Sequence, residues 1–309
     1  MHPQLDNRIR SKLRVRHFEL LDVLGETLNI HKAAPRLSLS QPATSKLLHE
    51  TEMLYKTLLF ERLPRGLKPT TAGQIAILSA RVLLGEIGNS LSEAQLVASG
   101  ISGLVRIGAL PAAIPTLYQR VLTQAHAVMP KLIISVTEGS LEGLLASLRR
   151  KELDVVLARL SGETQQSSFE TEPLFEESVC LVVRPNHPYA KKRRLDAKDL
   201  ASQDWVLPPE SAPVRQEIVR NFNEAGLSCP QAWIETTSLL LTETAIMQHD
   251  LIAALPQSVA ELYQRRGQLR ILKANFKIHM PPLGVVRRAV ETPSPNVAKL
   301  LDVIRSGLH

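Results

Sequence analysis

Between Thr71 and Ser99 the chain has no proline, and apolar residues recur every seven positions: Ile77, Leu84, Leu91 and Ala98, with Ala80, Ile87 and Ala94 three places further on. That period specifies one long helix whose apolar seam suits a second helix. At 1.5 Å per residue it extends about 40 Å. A helix packed only on its own domain would show a similar repeat, and Gly85 and Gly88 weaken it. The preferred reading is a dimer held through Ile77, Leu84, Ile87 and Leu91. The chain on either side of this rod follows two different patterns.

Before it, short helices are expected. Val15, Phe18, Leu21 and Leu24 fall at helical spacing from Val15 to Glu26, with Gly25 near the end. Asn29 is a good cap for a second helix containing Ile30, Ala33, Ala34 and Leu37. Pro35 would cost that helix a hydrogen bond, so the helix starts late or bends. Ser40 caps a third helix, Pro42 suits its first turn, and Leu47, Leu48 and Leu54 are expected to point inward. The stretch LLFERLPRGLKPT then reads as two short extended segments around Pro64-Arg65-Gly66.

After it, strands alternate with helices. Strands are expected at 104–109, 132–136, 153–158, 179–184, 233–235, 251–255 and 281–289. Helices are expected after Pro111, after Ser140, at 214–225, at 239–249 and from Pro295 to Leu308. Such alternation implies parallel sheets with right-handed crossovers. At 309 residues and 44% hydrophobic content, the chain is long and apolar enough for at least two domains with real cores.

Charge is unevenly placed. Residues 1–70 hold twelve Lys/Arg against seven Asp/Glu, most of the formal +7 of the whole chain. A polyanion partner fits that end, although a merely solvated basic surface is common. No run approaches the roughly 20 apolar residues of a membrane span and no secretion signal is evident, so no membrane partner and a cytoplasmic location are expected. Cys180 and Cys229 are too few for a disulfide framework and are read as reduced thiols.

Common enzyme signatures fail. HETEM at His49–Met53 has Met53 where the second zinc-binding histidine of HExxH would stand. GISG lacks the spacing of a nucleophile elbow, and neither a dinucleotide fingerprint nor a phosphate-binding loop occurs. The remaining histidines are scattered. No catalytic residue, metal site or cofactor is expected.

The third helix has the side chains of a DNA reader. In a helix-turn-helix module the second helix of the pair enters the major groove N-terminus first. Gln41 can pair with an adenine edge, and Thr44 and Ser45 can bond bases or phosphates. Thr44 also offers a methyl for thymine, and Lys46 can reach guanine or phosphate. Arg62, Arg65 and Lys68 decorate the hairpin tip beyond, suited to the backbone or minor groove.

Phe18, Ala33-Ala34, Leu37, Ser40-Gln41-Pro42-Ala43, Ser45, Leu59-Phe60, Arg62 and Thr71-Ala72-Gly73 resemble the N-terminal signature of LysR-type transcriptional regulators in type, order and spacing. DVVLARL and PLFEESVCLVVRPNHPYA resemble that family's effector-domain landmarks, so the resemblance runs from about residue 13 to the end. It implies an α/β protein: an N-terminal winged helix-turn-helix and long linker helix, then a two-subdomain, periplasmic-binding-protein-like α/β sensor. The expected divisions are 1–70 for DNA binding, 71–100 for the linker and 101–309 for the sensor, with subdomain I at 103–174 and 280–309 and subdomain II at 175–279. The implied partners are double-stranded DNA, a small-molecule effector and further copies of the chain, as a homodimer and commonly a tetramer. The DNA contacts carried over by the resemblance are Gln41, Pro42, Ser45 and Lys46. Thr51, Lys56 and Lys151 depart from the pattern, and a lysine in place of the usual glycine at 56 is expected to be strained or to force a different cap. Residues before Leu13 form an extension, read as a basic arm.

In an open α/β sheet, ligands sit beyond the carboxyl ends of the strands, near helix N-termini. Leu110, Ser140 and Arg159 follow three sensor strands, and Ser211 and Thr237 lie near helix starts in the second subdomain. They are the expected effector contacts, for an anionic or polyhydroxylated molecule; the alternative for Ser140 is a cap of its own helix and nothing more. A solute-binding protein without DNA activity is the alternative; it would leave the first hundred residues unexplained.

Overall fold

The computed structural model describes residues 11–276, 278–289 and 292–306. The expected basic arm and the end of the last helix beyond Ser306 lie outside the described residues. The chain divides into two compact units, Met1–Gly103 with Arg149–Leu153, and Leu104–Leu148 with Asp154–His309.

In the first unit three helices, α1 (Val15–Thr27), α2 (Ile30–Arg36) and α3 (Gln41–Tyr55), precede a hairpin of β1 (Phe60–Leu63) and β2 (Gly66–Pro69) and the long helix α4 (Thr71–Ala98). Asn29 Oδ1 accepts from the backbone of His31 and Lys32, and Ser40 Oγ from Ala43, so both expected caps form. Helix α2 starts at Ile30, not late; Pro35 is accommodated in its last turn, and Ser38 leaves it in the left-handed conformation at φ 54°. Leu20, Leu21 and Leu24 of α1 are fully buried, whereas Val15 is exposed. The core also takes in Ala33, Leu48, Leu59, Phe60, Leu67, Ala76, Ile77 and Ala80.

Two glycines set close approaches. A Cβ on Gly25 would stand 2.7 Å from the Ile77 side chain, so its absence lets α4 close on α1. Gly66 has φ +134° and a Cβ there would meet the Leu28 carbonyl at 2.6 Å. The adjacent Leu67 N–H donates to that carbonyl at 2.8 Å, which ties the hairpin to the end of α1. The Glu52 carboxylate of α3 accepts from the Leu59 and Phe60 N–H groups at 2.8 and 3.2 Å and fixes the start of β1.

Lys56 caps α3 at φ 53° with a left-handed backbone, the strained one of the two expected outcomes. Lys151 is likewise left-handed at φ 62°. Thr51 is fully buried; its hydroxyl donates to the Leu47 carbonyl at 2.7 Å and so is not left unsatisfied. By length and composition α4 is apolar enough to cross a membrane, contrary to the expectation from the sequence. Its first turns instead pack into the helical core, and Arg81 Nε pairs with Asp22 at 2.7 Å.

The second unit contains two five-stranded sheets. The first uses β3 (Gly103–Ala109), β4 (Leu132–Glu138), β5 (Val155–Arg159), β6 (Phe169–Phe175) and β12 (Leu283–Arg288) in the order β4-β3-β5-β12-β6. The second uses β7 (Val179–Val183), β8 (Asp204–Leu207), β9 (Ala232–Glu235), β10 (Leu251–Pro256) and β11 (Arg270–Ile271) in the order β11-β7-β10-β8-β9. Helical connections are α5 (Ile114–Leu117), α6 (Thr123–Val128), α7 (Leu141–Arg149), α8 (Ala197–Ala201), α9 (Pro213–Glu224), α10 (Leu239–Gln248), α11 (Gln257–Arg265) and α12 (Pro295–Ser306).

The sheets are mixed rather than parallel. β3 pairs parallel with β5, and β8 with both β9 and β10, as expected of βαβ units. However, β12 returns antiparallel between β5 and β6, and β7 lies antiparallel to β10 and β11. Residue 283 onward therefore completes the sheet that residue 103 began, and the chain crosses between the sheets twice. Val105, Ile107, Val155, Leu157 and Val285 form one core with α12, and Val183, Trp205, Ile218, Phe222 and Ile252 form another.

Candidate functional site

One helix turn decides what α3 can present. Gln41, Pro42, Lys46 and His49 are exposed and Ser45 is half-buried, while Thr44, Leu48 and Thr51 are buried on the opposite side. At about 100° per residue the exposed set forms one continuous face. Thr44 is not part of it, contrary to expectation. It is fully buried, and its hydroxyl donates to the Ser40 carbonyl at 3.0 Å. His49 lies one turn beyond Ser45, within the face, and the same helical spacing in the sequence identifies it. Gln41 and Ser45 make no side-chain hydrogen bond among the described residues. Lys46 reaches Glu50 only at 4.0 Å with the side chains 79% and 51% exposed, a pair too solvated to hold it.

Arg62, Arg65 and Lys68 are all exposed, but not on one side of the hairpin. Arg62 pairs in register with buried Leu67, and Lys68 with Glu61, so Arg62 and Lys68 point to opposite faces. Arg65 stands at the turn between them.

The expected dimer seam is also divided. Ile77 is 6% exposed and belongs to the core of its own unit, so it has no surface to offer a partner. Ile87 and Leu91 further along are 38% and 63% exposed, and Leu84 is half-covered. The seven-residue spacing runs along one continuous helix, but its first turn serves the helical core.

In the sensor, Leu110 follows β3 and its N–H donates to the Leu157 carbonyl of β5 at 3.3 Å. Ser140 is exposed and its Oγ accepts from the Gly143 N–H at 3.3 Å, capping α7. Ser211 and Thr237 are exposed beyond the ends of β8 and β9, whose pairing continues in the bond from Thr236 N–H to the Leu207 carbonyl at 3.0 Å. The actual helix caps are their neighbours, Ala212 for α9 and Ser238 for α10.

Arg159 departs from its expected role. Its guanidinium donates to the carbonyls of Glu177 at 3.2 Å and Pro281 at 2.9 Å, and the Glu177 carboxylate stands 4.0 Å away. With 13% of its side chain exposed it is a tie across both crossings between the sheets, not a free cation for a ligand. Burial depresses its pKa, against the partial support of Glu177. Arg215, in the first turn of α9, has Nε and Nη1 buried without a hydrogen-bond partner among the described residues. An apolar cavity of about 10 Å³ lined by Leu117, Val121, Leu157, Leu174, Phe175 and Leu283 includes none of the five expected contacts and is too small for an effector.

The architecture defines a DNA-binding helix-turn-helix module joined by a long helix to a two-sheet sensor. Two family models match the chain: bacterial regulatory helix-turn-helix protein, lysR family, over residues 15–74, and LysR substrate binding domain over residues 98–308. The chain belongs to the LysR family of DNA-binding transcriptional regulators with an effector-binding domain. It is 30% identical to the uncharacterized HTH-type transcriptional regulator YdcI of Escherichia coli K12, covering 96% of both chains. It is 28% identical to the HTH-type transcriptional regulator GbpR of Azospirillum brasilense, over 96% of this chain and 87% of that one. Among solved structures, CbnR, a LysR family regulator crystallised with its target DNA, shares the fold at TM-score 0.67 and 20% identity, over 96% of this chain and 100% of that one.

Proposed function

We propose that the chain is a cytoplasmic regulator that works as a homodimer or tetramer rather than as an enzyme, and that reads its operator through Gln41, Pro42, Ser45, Lys46 and His49. The observation that carries this reading is the exposed face of α3, whose polar groups at Gln41 and Ser45 are left uncommitted by the fold. Arg65 at the hairpin turn contributes a phosphate contact, flanked by Arg62 and Lys68 on opposite faces of the hairpin, and such contacts position the protein without reading sequence. Leu84, Ile87 and Leu91 hold the dimer, so that two copies of α3 address two half-sites one helical turn apart or a multiple of it.

The effector in this reading is a small anionic or polyhydroxylated molecule held by Leu110, Ser140, Ser211 and Thr237, with Arg215 as its charge partner. Calorimetry with candidate acids and sugars on Ser140→Ala and Arg215→Met proteins tests it; unchanged affinity in both would move the site elsewhere. One 28% identical relative, from Escherichia coli O6:H1, is named a hydrogen peroxide-inducible genes activator. That reading is disfavoured. Burial pushes the Cys180 thiol up to about 12 and raises that of Cys229 as well, so neither is the low-pKa thiolate that peroxide oxidises.

A further inference from the structure

The sensor unit has its own concentration of positive charge. Lys191, Lys192, Arg193 and Arg194 are four exposed cations in succession, and Arg270 and Lys273 are exposed on a separate run. Backbone pairing joins the runs: Leu195 N–H donates to the Lys273 carbonyl at 3.0 Å, and Asn275 N–H to the Leu195 carbonyl at 2.9 Å. Both runs therefore meet at the β11 edge of the second sheet. Lys192 is partly neutralised by Asp199 at 3.5 Å and lies 4.2 Å over the Tyr189 ring, and Arg194 has Asp196 at 3.7 Å. Lys191, Arg193, Arg270 and Lys273 have no ion pair within 4.0 Å among the described residues.

Two plainer explanations fall short. Cations on an edge strand keep it from pairing with another chain. Yet β9, the opposite edge of the same sheet, has the sequence AWIE and no cation, and Lys191–Arg194 precede the bridge instead of lying within a strand. A solvated surface intersperses both signs, whereas Lys191, Arg193, Arg270 and Lys273 bring four exposed cations together with no paired carboxylate among the described residues, and these repel unless a polyanion meets them. The composition also selects among partners. A protein interface needs an apolar centre, and among the described residues of 184–200 and 265–276 no large hydrophobic side chain is exposed. Phosphates need only charge and hydrogen-bond donors.

We propose that this edge binds the phosphate backbone of double-stranded DNA, independently of base sequence, as a second contact surface beyond the helix-turn-helix. It adds affinity and salt sensitivity and leaves the choice of sequence to α3.

The test compares the full-length parent, the K191Q/R193Q/R270Q/K273Q variant and the R65Q variant on a mixed-sequence duplex, measuring log affinity against log salt. Each lost phosphate contact flattens the slope by about 0.9. The sensor-edge variant is expected to lose about 2 to 4 in slope, with thermal unfolding unchanged, and R65Q about 1. If R65Q flattens the slope and the folded sensor-edge variant keeps the parental value, the helix-turn-helix reading stands and the sensor edge does not touch DNA; an acidic protein partner would give that same result and would overturn the proposal.

Discussion

Arg159 donates to the carbonyl of Pro281 at 2.9 Å, joining positions 122 residues apart in the chain. The same guanidinium holds the Glu177 carbonyl, so one side chain at the end of β5 ties both segments by which the chain passes from one sheet to the other. Removing it takes both of these donations away and removes a cation that lies 4.0 Å from the Glu177 carboxylate, which is 6% exposed and also accepts from Ser258. Arg159→Ala is expected to lower stability by about 2 to 4 kcal/mol, and the R159M/E177Q double variant by less, because the double variant also removes the buried carboxylate charge. Urea unfolding of both proteins measures the difference; equal losses would mean that the tie works through packing alone.

Thr44 and Ser45 are adjacent but have opposite fates. Ser45→Ala is expected to weaken operator binding by about 1 to 3 kcal/mol with little effect on folding. Thr44→Val removes a buried hydroxyl bonded to Ser40 and is expected to cost about 1 kcal/mol of stability while base preference is kept. Competition binding beside thermal unfolding separates the two, and altered base preference in Thr44→Val would return that residue to the reading face.

Lys56 holds a left-handed backbone at φ 53° that glycine adopts without a Cβ penalty. Lys56→Gly is therefore expected to raise stability by about 0.5 to 1 kcal/mol, relief of strain outweighing the extra freedom of the unfolded chain. Lower stability in chemical unfolding would show that the lysine stem contributes more than the strain costs.

Along α4, position decides the outcome of a charge. Ile87→Asp with Leu91→Asp is expected to give folded monomers with weak DNA binding, since both side chains are exposed. Ile77→Asp buries an unpaired carboxylate in the helical core and is expected to unfold that unit. Sedimentation and circular dichroism distinguish these, and an unchanged oligomer in the double variant would place the interface elsewhere.

The Cys180 thiol gives a pH dependence of definite sign. Its pKa is raised to about 12 in the folded chain by burial, with Glu261 and Glu177 adding to it, against an ordinary value of 9.0. Its contribution to stability is complete below pH 9 and is lost as pH rises toward 12, because the unfolded chain ionises first. Cys180→Ser should flatten the loss of stability across that window, and an identical alkaline profile would assign the loss to other groups.

What the sequence revealed followed the strength of its periodic patterns. The caps at Asn29 and Ser40, the hairpin about Arg65 and the long helix from Thr71 each carried a local physical signal, and each formed. β6 was missed because Pro173 and two glutamates disguise it, which suits an edge strand where a missing N–H costs nothing. β8 and β11 have four and two residues, too few to show a period, although α11 had an apolar spacing that was there to be read. The antiparallel insertion of β12 depends on contacts about 110 to 130 residues apart and has no local signature. At the sites, helical geometry is enough to find the face of α3 and also places Thr44 on the buried side with Leu48 and Thr51. The role of Arg159 could not be seen at all, since its partners come from two distant crossings.

The regulatory reading turns on whether the uncommitted polar face of α3 chooses the DNA sequence. Selection of bound sequences from a random duplex pool, run with the full-length parent and with the Q41A/S45A variant, measures this directly. The parent should enrich a pair of related half-sites about one helical turn apart or a multiple of it, and the variant should retain salt-sensitive binding but lose the base preference at defined positions in each half-site. Enrichment of the same sequences by both proteins would contradict the assignment of Gln41 and Ser45 as the residues that read the operator.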